Sequence, residues 1–357
     1  MKIKTQHDPQ IKVLVADNNS LVRKLLIDIL STDDKIKVIG EAINGQDALK
    51  KVQKLQPDVV IMDIEMPEMN GLEATERIMA SKAVPILIVT TRGNVRMAYA
   101  AISKGALDLL EKSDIRLENA GELIQRVKLL SKVKVITHPA GKYTERKMTG
   151  RLMIEDRKSG SDSRKQVIAI AASTGGPKAL AVLLSELPED FPCPIVIAQH
   201  MGDGFIPGLA GWLNSISKLT VKEGIDREII TSGTVYLSPS ERHMKISQSG
   251  RIILIERQPG DIYHPSCDLL LASVASTYGT DSIGVILTGM GDDGVLGMKK
   301  IKGVGGITLA QDEKSSLIFG MPKMAIESGC VDKVLPLHEI ATELVRLTLG
   351  VGVERKA

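Results

Sequence analysis

From Ile11 onward, short β-branched runs alternate with amphipathic stretches: IKVLVAD, LVRKLLIDIL, IKVIGEA, GQDALKKVQKLQ and PDVVIMD follow one another. That rhythm predicts a βαβαβ unit with a parallel sheet. It continues through GLEATERIMA, PILIVTT, VRMAYAAISKGA and ALDLLEK and ends in the amphipathic GELIQRVKLLSKV. Five strands and five helices in about 120 residues make one doubly wound α/β domain, placed at residues 11–130.

Over residues 131–165 the alternation fails and Lys, Arg, Ser, Gly and Thr dominate, as in RKSGSDSRK, which reads as a linker. A basic arm for nucleic acid is the alternative reading of the same charges. A second alternation begins at QVIAIAAS and runs through the strands PIVIAQ, GTVYLS, RIILIE and SIGVILT, with PKALAVLLSEL and CDLLLASVAST as helices between them. No repeat relates the halves. Residues 166–350 are therefore expected to form a separate α/β domain, doubly wound on a mainly parallel sheet.

Composition agrees with two soluble domains: of 357 residues, 43% are apolar and 25% charged, which excludes general disorder. No apolar run approaches the roughly 18 residues of a membrane span, and MKIKTQHDPQ has neither signal nor anchor character, so a cytoplasmic protein is expected. Cys193, Cys267 and Cys330 are widely spaced and odd in number, against both a disulfide framework and a structural zinc site. A net charge of +3 and 3% aromatic residues give no support for nucleic-acid binding.

Four residues in the first domain stand at strand ends: Asp17 after the first, Asp63 on the third, Thr90 closing the fourth and Lys112 following the fifth. In a parallel sheet these ends meet at one edge. Two carboxylates there can share Mg²⁺, and one can act as nucleophile toward a phosphoryl group while the metal and a lysine neutralise charge. Over residues 11–130 the segment resembles the receiver domain of two-component response regulators, in VLVADNNSLVRKLL, DVVIMDIEMPEMNGLE, PILIVTT and GALDLLEK. The resemblance implies that Asp63 is the phosphoacceptor, Asp17 a metal ligand, Thr90 the switch hydroxyl and Lys112 the phosphate partner, with the backbone carbonyl of Glu65 completing the cation site. Three positions depart from the pattern: Asn18 replaces the second residue of the usual acidic pair, Leu109 a frequent aromatic, and Ser113 a frequent proline.

In the second domain the strand VIAIAA runs directly into Ser173-Thr174-Gly175-Gly176-Pro177, with Pro177 suited to the first turn of a helix. Such a turn presents a hydroxyl beside a helix N-terminus, whose N–H groups can hold an oxyanion. A plain helix cap is the alternative for Ser173; a nucleotide-binding glycine loop is weakened because no GK[ST] or GxGxxG follows. The next strand ends in His200, and SIGVILT leads to Gly289-Met290-Gly291-Asp292-Asp293-Gly294. Ser, His and Asp thus fall at three strand ends of one sheet, the arrangement a nucleophile, base and orienting acid require. His243 reads as a surface residue in a polar turn, and His264 as a site or turn residue.

The segments AASTGGP, IVIAQHM, HPSCD, ILTGMGDDG and AQDEKSSLIFGMPKMAI closely resemble the catalytic domain of the chemotaxis protein-glutamate methylesterases, across nearly all of Gln166 to Leu347. Those proteins also carry an N-terminal receiver. The resemblance implies Ser173 as nucleophile, His200 as general base, Asp293 rather than Asp292 as orienting acid, and the backbone N–H groups of Thr174 and Met290 as oxyanion hole. Phe319-Gly320-Met321-Pro322 is expected beside the site or as a helix-start turn. It further implies hydrolysis of glutamate methyl esters on chemoreceptors, often with glutamine deamidation. A sensory histidine kinase would be the phosphodonor, and the esterase would need no cofactor. Two other classes compete: a receiver controlling a non-catalytic binding module, and a receiver joined to a nucleic-acid-binding output.

Overall fold

The computed structural model describes residues 10–135 and 166–349. Most of the expected linker, 136–165, lies outside the described residues, as does Gly350. The chain divides into two compact units, with the boundary between residues 144 and 145.

The first unit is a five-stranded parallel sheet of β1 (Ile11–Ala16), β2 (Ile36–Ala42), β3 (Val59–Asp63), β4 (Ile86–Thr90) and β5 (Asp108–Glu111), in the order β2-β1-β3-β4-β5. The strands alternate with α1 (Ser20–Leu30), α2 (Gly45–Leu55), α3 (Gly71–Ser81), α4 (Val95–Ser103) and α5 (Ala120–Leu130). The central strands β3 and β4 are buried at every position, because helices cover both faces of a parallel sheet. Asn19, Asn44 and Asn70 start the first three helices by accepting backbone N–H bonds at the N-cap. Register aligns the strand ends: Ala16 pairs with Met62, Asp63 with Val89 and Thr90 with Glu111. Strand order reverses between β1 and β3, and a doubly wound sheet opens its crevice at such a point.

The second unit contains β6 (Val167–Ala172), β7 (Ile195–Gln199), β8 (Thr220–Glu223), β9 (Thr234–Leu237), β10 (Arg242–Ile246), β11 (Ile252–Glu256), β12 (Ser282–Ile286), β13 (Ile307–Gln311) and β14 (Lys333–Leu335). Its helices are α6 (Gly176–Glu186), α7 (Ile206–Ile216), α8 (Cys267–Tyr278), α9 (Val295–Gly303), α10 (Met321–Glu327) and α11 (Leu337–Leu349). Seven strands form one sheet in the order β14-β13-β12-β6-β7-β9-β8, with parallel pairing throughout. The apolar run RIILIE departs from the expected sheet: it becomes β11, which pairs antiparallel with β10 in a separate hairpin. The core under that hairpin joins Met244, Ile246 and Ile252 to Cys267, Leu270 and Val274 of α8. The sheet's order reverses at β6, its first strand, which lies between β12 and β7. All three cysteines are free and buried.

Candidate active site

The carboxyl end of β6 passes into the turn Ser173-Thr174-Gly175, and α6 begins at Gly176. Gly175 is itself the N-cap, at φ +79°, and supplies no side-chain cap, so Ser173 lies outside the role of helix cap. The left-handed conformation favours glycine here, and a Cβ would also press on Leu317 at 2.7 Å. Three buried side chains lock the turn. Gln199 Nε2 donates to the carbonyl of Ser173 at 2.8 Å, Thr288 Oγ1 donates to the carbonyl of Thr174 at 3.0 Å, and Gln311 Oε1 accepts from Thr288 N at 2.8 Å. The backbone N–H groups of Thr174 and Met290 have no acceptor among the described residues, which leaves both donors available to a ligand oxygen.

Ala172 pairs with Gln199 in register, so Ser173 and His200 follow side by side, and His200 N donates to Ala172 O at 3.0 Å. The imidazole of His200 is paired through Nε2 with Asp293 Oδ2 at 2.7 Å. Asp293 is 5% exposed and accepts from Cys267 N at 2.7 Å and from Asp268 N at 2.8 Å, at the start of α8. Burial raises its pKa, but His200 and these two N–H groups outweigh burial and hold the carboxyl below its ordinary value. With Nε2 occupied by an ionised carboxylate, the ring nitrogen with a free lone pair is Nδ1. No hydrogen bond joins Ser173 Oγ to His200 among the described residues; catalytic bonds often tighten only around substrate.

Asp292, the neighbour that sequence left as a rival, makes no hydrogen bond to the imidazole among the described residues: it is exposed, and its Oδ1 accepts from the Tyr263 hydroxyl at 3.3 Å. Tyr263 stacks on His200, with ring centroids 5.1 Å apart and planes 9° apart. Phe319-Gly320-Met321-Pro322 fulfils both expectations. Gly289 pairs with Phe319, its carbonyl accepts from Gly320 N and Met321 N, and α10 starts at Met321. A Cβ at Gly289 would lie 2.3 Å from Met321 Sδ and 2.7 Å from Ser173 Cβ, so that glycine lets the two loops meet.

His243 corrects the surface expectation. It is 5% exposed on β10, with Nε2 2.8 Å from Asp261 Oδ2 and Nδ1 accepting from Ser266 N at 3.0 Å. Its polar sequence neighbours face solvent while these two partners satisfy both ring nitrogens. His264 precedes a cis proline and takes a turn position, its carbonyl accepting from Met201 N at 3.4 Å. The sequence reading missed Gln199, Tyr263, Cys267, Asp268, Thr288 and Gln311. Only HPSCD carried a signal: Ser266 caps α8, and Asp268 Oδ1 then accepts from Gly294 N and Gly297 N, tying α8 to the loop that bears Asp293.

In the first unit, Lys112 Nζ reaches Asp17 and Asp63 equally, at 2.8 Å from an oxygen of each. Both carboxylates are buried, at 1% and 2% exposure. Burial is the largest influence on Asp63 and raises its pKa from 3.8 to about 6, Asp17's charge adding to the rise and Lys112 opposing it. Burial depresses the Lys112 pKa, but hydrogen bonds and charge from the two carboxylates outweigh it and raise the value overall. Two buried carboxylates facing one ammonium leave negative charge that a hard divalent cation would neutralise, so the donor set fits Mg²⁺. Thr90 is fully buried, and its Oγ1 has no hydrogen-bond partner among the described residues. Gly71 sits against this site; a Cβ there would fall 1.9 Å from the Asp63 carbonyl oxygen.

The two units define a response regulator, a receiver domain followed by an α/β domain of hydrolase type. The family description CheB methylesterase matches residues 168–344, and the response regulator receiver domain matches residues 13–128. The chain belongs to the CheB methylesterase family. It is similar, at 45% identity over 95% of this chain and 96% of the relative, to protein-glutamate methylesterase/protein-glutamine glutaminase 3 of Paramagnetospirillum magneticum. A relative from Pyrococcus horikoshii, protein-glutamate methylesterase/protein-glutamine glutaminase, is 37% identical over 94% of this chain and 93% of its own length. The crystal structure of the Thermotoga maritima CheB methylesterase catalytic domain is 41% identical, with a TM-score of 0.50, over 51% of this chain and 98% of that chain.

Proposed function

We propose that the chain is a cytoplasmic, phosphorylation-controlled serine hydrolase that demethylates glutamate methyl esters, and deamidates selected glutamines, on the cytoplasmic helices of chemoreceptors. In this reading residues 11–130 are the receiver, 131–165 the linker and 166–350 the catalytic domain. A sensory histidine kinase supplies the phosphoryl group. Among the described residues no helix is long and apolar enough to cross a membrane.

The observation that carries the reading is His200, fixed through Nε2 by a buried, ionised Asp293 next to the Ser173 turn. Ser173 Oγ attacks the ester carbonyl while His200 Nδ1 takes its proton, and Asp293 stabilises the resulting imidazolium. The oxyanion is received by the N–H groups of Thr174 and Met290. As the tetrahedral intermediate collapses, Nδ1 returns the proton to the departing methoxide, releasing methanol and leaving Ser173 acylated. Water then attacks the acyl group by the same steps and frees the glutamate carboxylate. A glutamine follows the same course with ammonia leaving. In the receiver, Mg²⁺ held by Asp17, Asp63 and the Glu65 carbonyl would neutralise charge on the incoming phosphoryl group. Asp63 accepts that group, Lys112 pairs with it and Thr90 donates to it.

The test is methanol release from methylated receptor membranes, with and without a small phosphodonor, alongside labelling of Ser173 by a serine-reactive phosphonate. Release that depends on Ser173 is the expected result; neither release nor labelling would favour a binding module instead.

A further inference from the structure

His200 Nε2 has two neighbours capable of binding metal. Asp293 Oδ2 lies 2.7 Å away and Cys267 Sγ 3.4 Å away, and the three donor atoms all lie within 4.8 Å of one another. An imidazole nitrogen, a thiol sulfur and a carboxylate oxygen are the ligand types of zinc sites with three protein ligands and an open fourth position. Zinc bonds of about 2.0–2.1 Å to N and O and about 2.3 Å to S require, at tetrahedral angles, N–O and N–S spacings of about 3.3 and 3.6 Å. The observed N–S distance is already close to that spacing. The N–O distance has to open by about 0.6 Å, and sulfur and oxygen, which lie within 4.8 Å of each other, have to settle about 3.6 Å apart.

The frame around the donors is already built. Cys267 N and Asp268 N hold both oxygens of Asp293, Cys267 is fixed as the first residue of α8, and Tyr263 lies on the imidazole. Such surrounding contacts orient metal ligands. The Cys267 thiol also lies within donating distance of Ala198 O, at 3.4 Å.

We infer that His200, Cys267 and Asp293 form a binding site for Zn²⁺ whose occupation switches off hydrolysis. The binding stands on geometry alone; the inhibition rests on the catalytic reading above. The protons balance without redox chemistry. Cys267 loses its thiol proton to solvent as sulfur binds the cation, and the imidazole proton leaves Nε2 for Nδ1 as the Nε2 lone pair is donated to the metal. Nδ1, which would accept the proton of Ser173, is then already protonated. The base is removed without any contact between the cation and Ser173. Magnesium, which prefers six oxygens, gains nothing from this donor set.

The experiment titrates the full-length protein with Co²⁺, a spectroscopic substitute for Zn²⁺, in Mg²⁺ sufficient to saturate the receiver. The expected result is a thiolate-to-cobalt charge-transfer band at one equivalent, retained in Ser173→Ala and in the Cys193→Ala/Cys330→Ala double variant, and lost in Cys267→Ala. The double variant decides the assignment even if Cys267→Ala fails to fold, because Cys267 is then the only thiol. Saturating Zn²⁺ should lower methanol release about 10²-fold or more, the contribution of a general base, with recovery on chelation. No band in the wild type, or one that disappears in the double variant, overturns the site. A band in a protein that releases no methanol from receptor membranes leaves the cation site standing and removes the esterase reading; Zn²⁺-insensitive release without a band does the reverse.

Discussion

The phenol ring of Tyr263 lies almost parallel to the imidazole of His200, with 9° between the planes and 5.1 Å between centroids. One ring face of the proposed base is therefore covered by an aromatic surface, and that surface is tethered through its hydroxyl to Asp292. Gly291, at φ +88°, makes room for it; a Cβ there would lie 2.6 Å from the phenol oxygen. An aromatic face favours the imidazolium that forms during attack and restricts ring rotation. At ~1–2 kcal/mol for such a contact, Tyr263→Leu should lower kcat about 5- to 30-fold with little change in KM. Tyr263→Phe, which keeps the stack, should retain most of the activity. The ring-current shift of the His200 carbon-bound protons in NMR spectra should persist in Tyr263→Phe and vanish in Tyr263→Leu.

Asp292 and Asp293 are adjacent in sequence and differ in partner. Asp293 takes His200 and two backbone N–H groups, whereas Asp292 takes only a phenol at 3.3 Å. Asp293→Asn should therefore lower turnover by roughly 10³-fold or more, as loss of the orienting acid does in serine triads. Asp292→Asn should cost no more than about tenfold, through Tyr263 alone. Ser173→Ala and His200→Gln belong with Asp293→Asn. Equal losses at 292 and 293 in a methanol-release assay would contradict this division of labour.

These two carboxylates also show how far sequence alone reaches. Strand-end positions were readable because a parallel sheet gathers residues that follow apolar runs, which is how Asp17, Asp63, Thr90, Lys112, Ser173 and His200 were picked out. The acid was ambiguous because Asp292 and Asp293 sit in a glycine-rich loop with no periodicity to orient either side chain. The register of α8 sets Cys267 N and Asp268 N on the Asp293 carboxyl, which supports the choice of Asp293. His243 is hidden from sequence for a related reason: Glu241 and Arg242 make the local text polar, while its ring partner Asp261 lies 18 residues away. Tyr263 gave no signal, since its stacking partner lies across the sheet edge. The run RIILIE reads as one more core strand, but it pairs antiparallel with its sequence neighbour β10 in a hairpin, and apolar content does not say which partner a strand takes.

Gly289 lies between two loops that must touch. A methyl group there would fall 2.3 Å from Met321 Sδ and 2.7 Å from Ser173 Cβ, both inside van der Waals contact. Met321 is fully buried and has little space to retreat. Gly289→Ala should destabilise the second domain by roughly 1–3 kcal/mol, as overpacking does, and displace Ser173 enough to reduce phosphonate labelling. Urea unfolding and the labelling rate together check this.

Thr90 places a buried hydroxyl without a partner among the described residues on the sheet edge that bears Asp63 and Lys112. A phosphoryl group on Asp63 adds acceptor oxygens and charge, which Thr90 and Lys112 can gather. Phosphodonor should raise methanol release by the full-length protein severalfold. Asp63→Asn should abolish the rise and the phosphorylation together. Thr90→Ala should still be phosphorylated while losing most of the response, which separates the acceptor from the switch. A full response in phosphorylated Thr90→Ala would remove Thr90 from the relay.

Asp63 carries a charge that its surroundings resist. Burial first, then the charge of Asp17, raises its pKa from 3.8 to about 6 against the pull of Lys112. Because the folded carboxyl holds its proton more tightly than the unfolded one, its contribution is complete below pH 4 and is lost as pH rises through about 6. A shift of about two units corresponds to roughly 3 kcal/mol, so removing the charge should yield about 1–3 kcal/mol at pH 8 and little at pH 4. In Mg²⁺-free buffer, Asp63→Asn should therefore unfold at higher denaturant than the wild type at pH 8, with the gap closing toward pH 4. Added Mg²⁺ should stabilise the wild type at pH 8 by neutralising the same charge, and stabilise the variant far less. Other carboxylates titrate over this range in both proteins, so the difference between them isolates Asp63. A gap of constant size from pH 4 to pH 8 would mean that the substitution acts through packing and not through the buried charge.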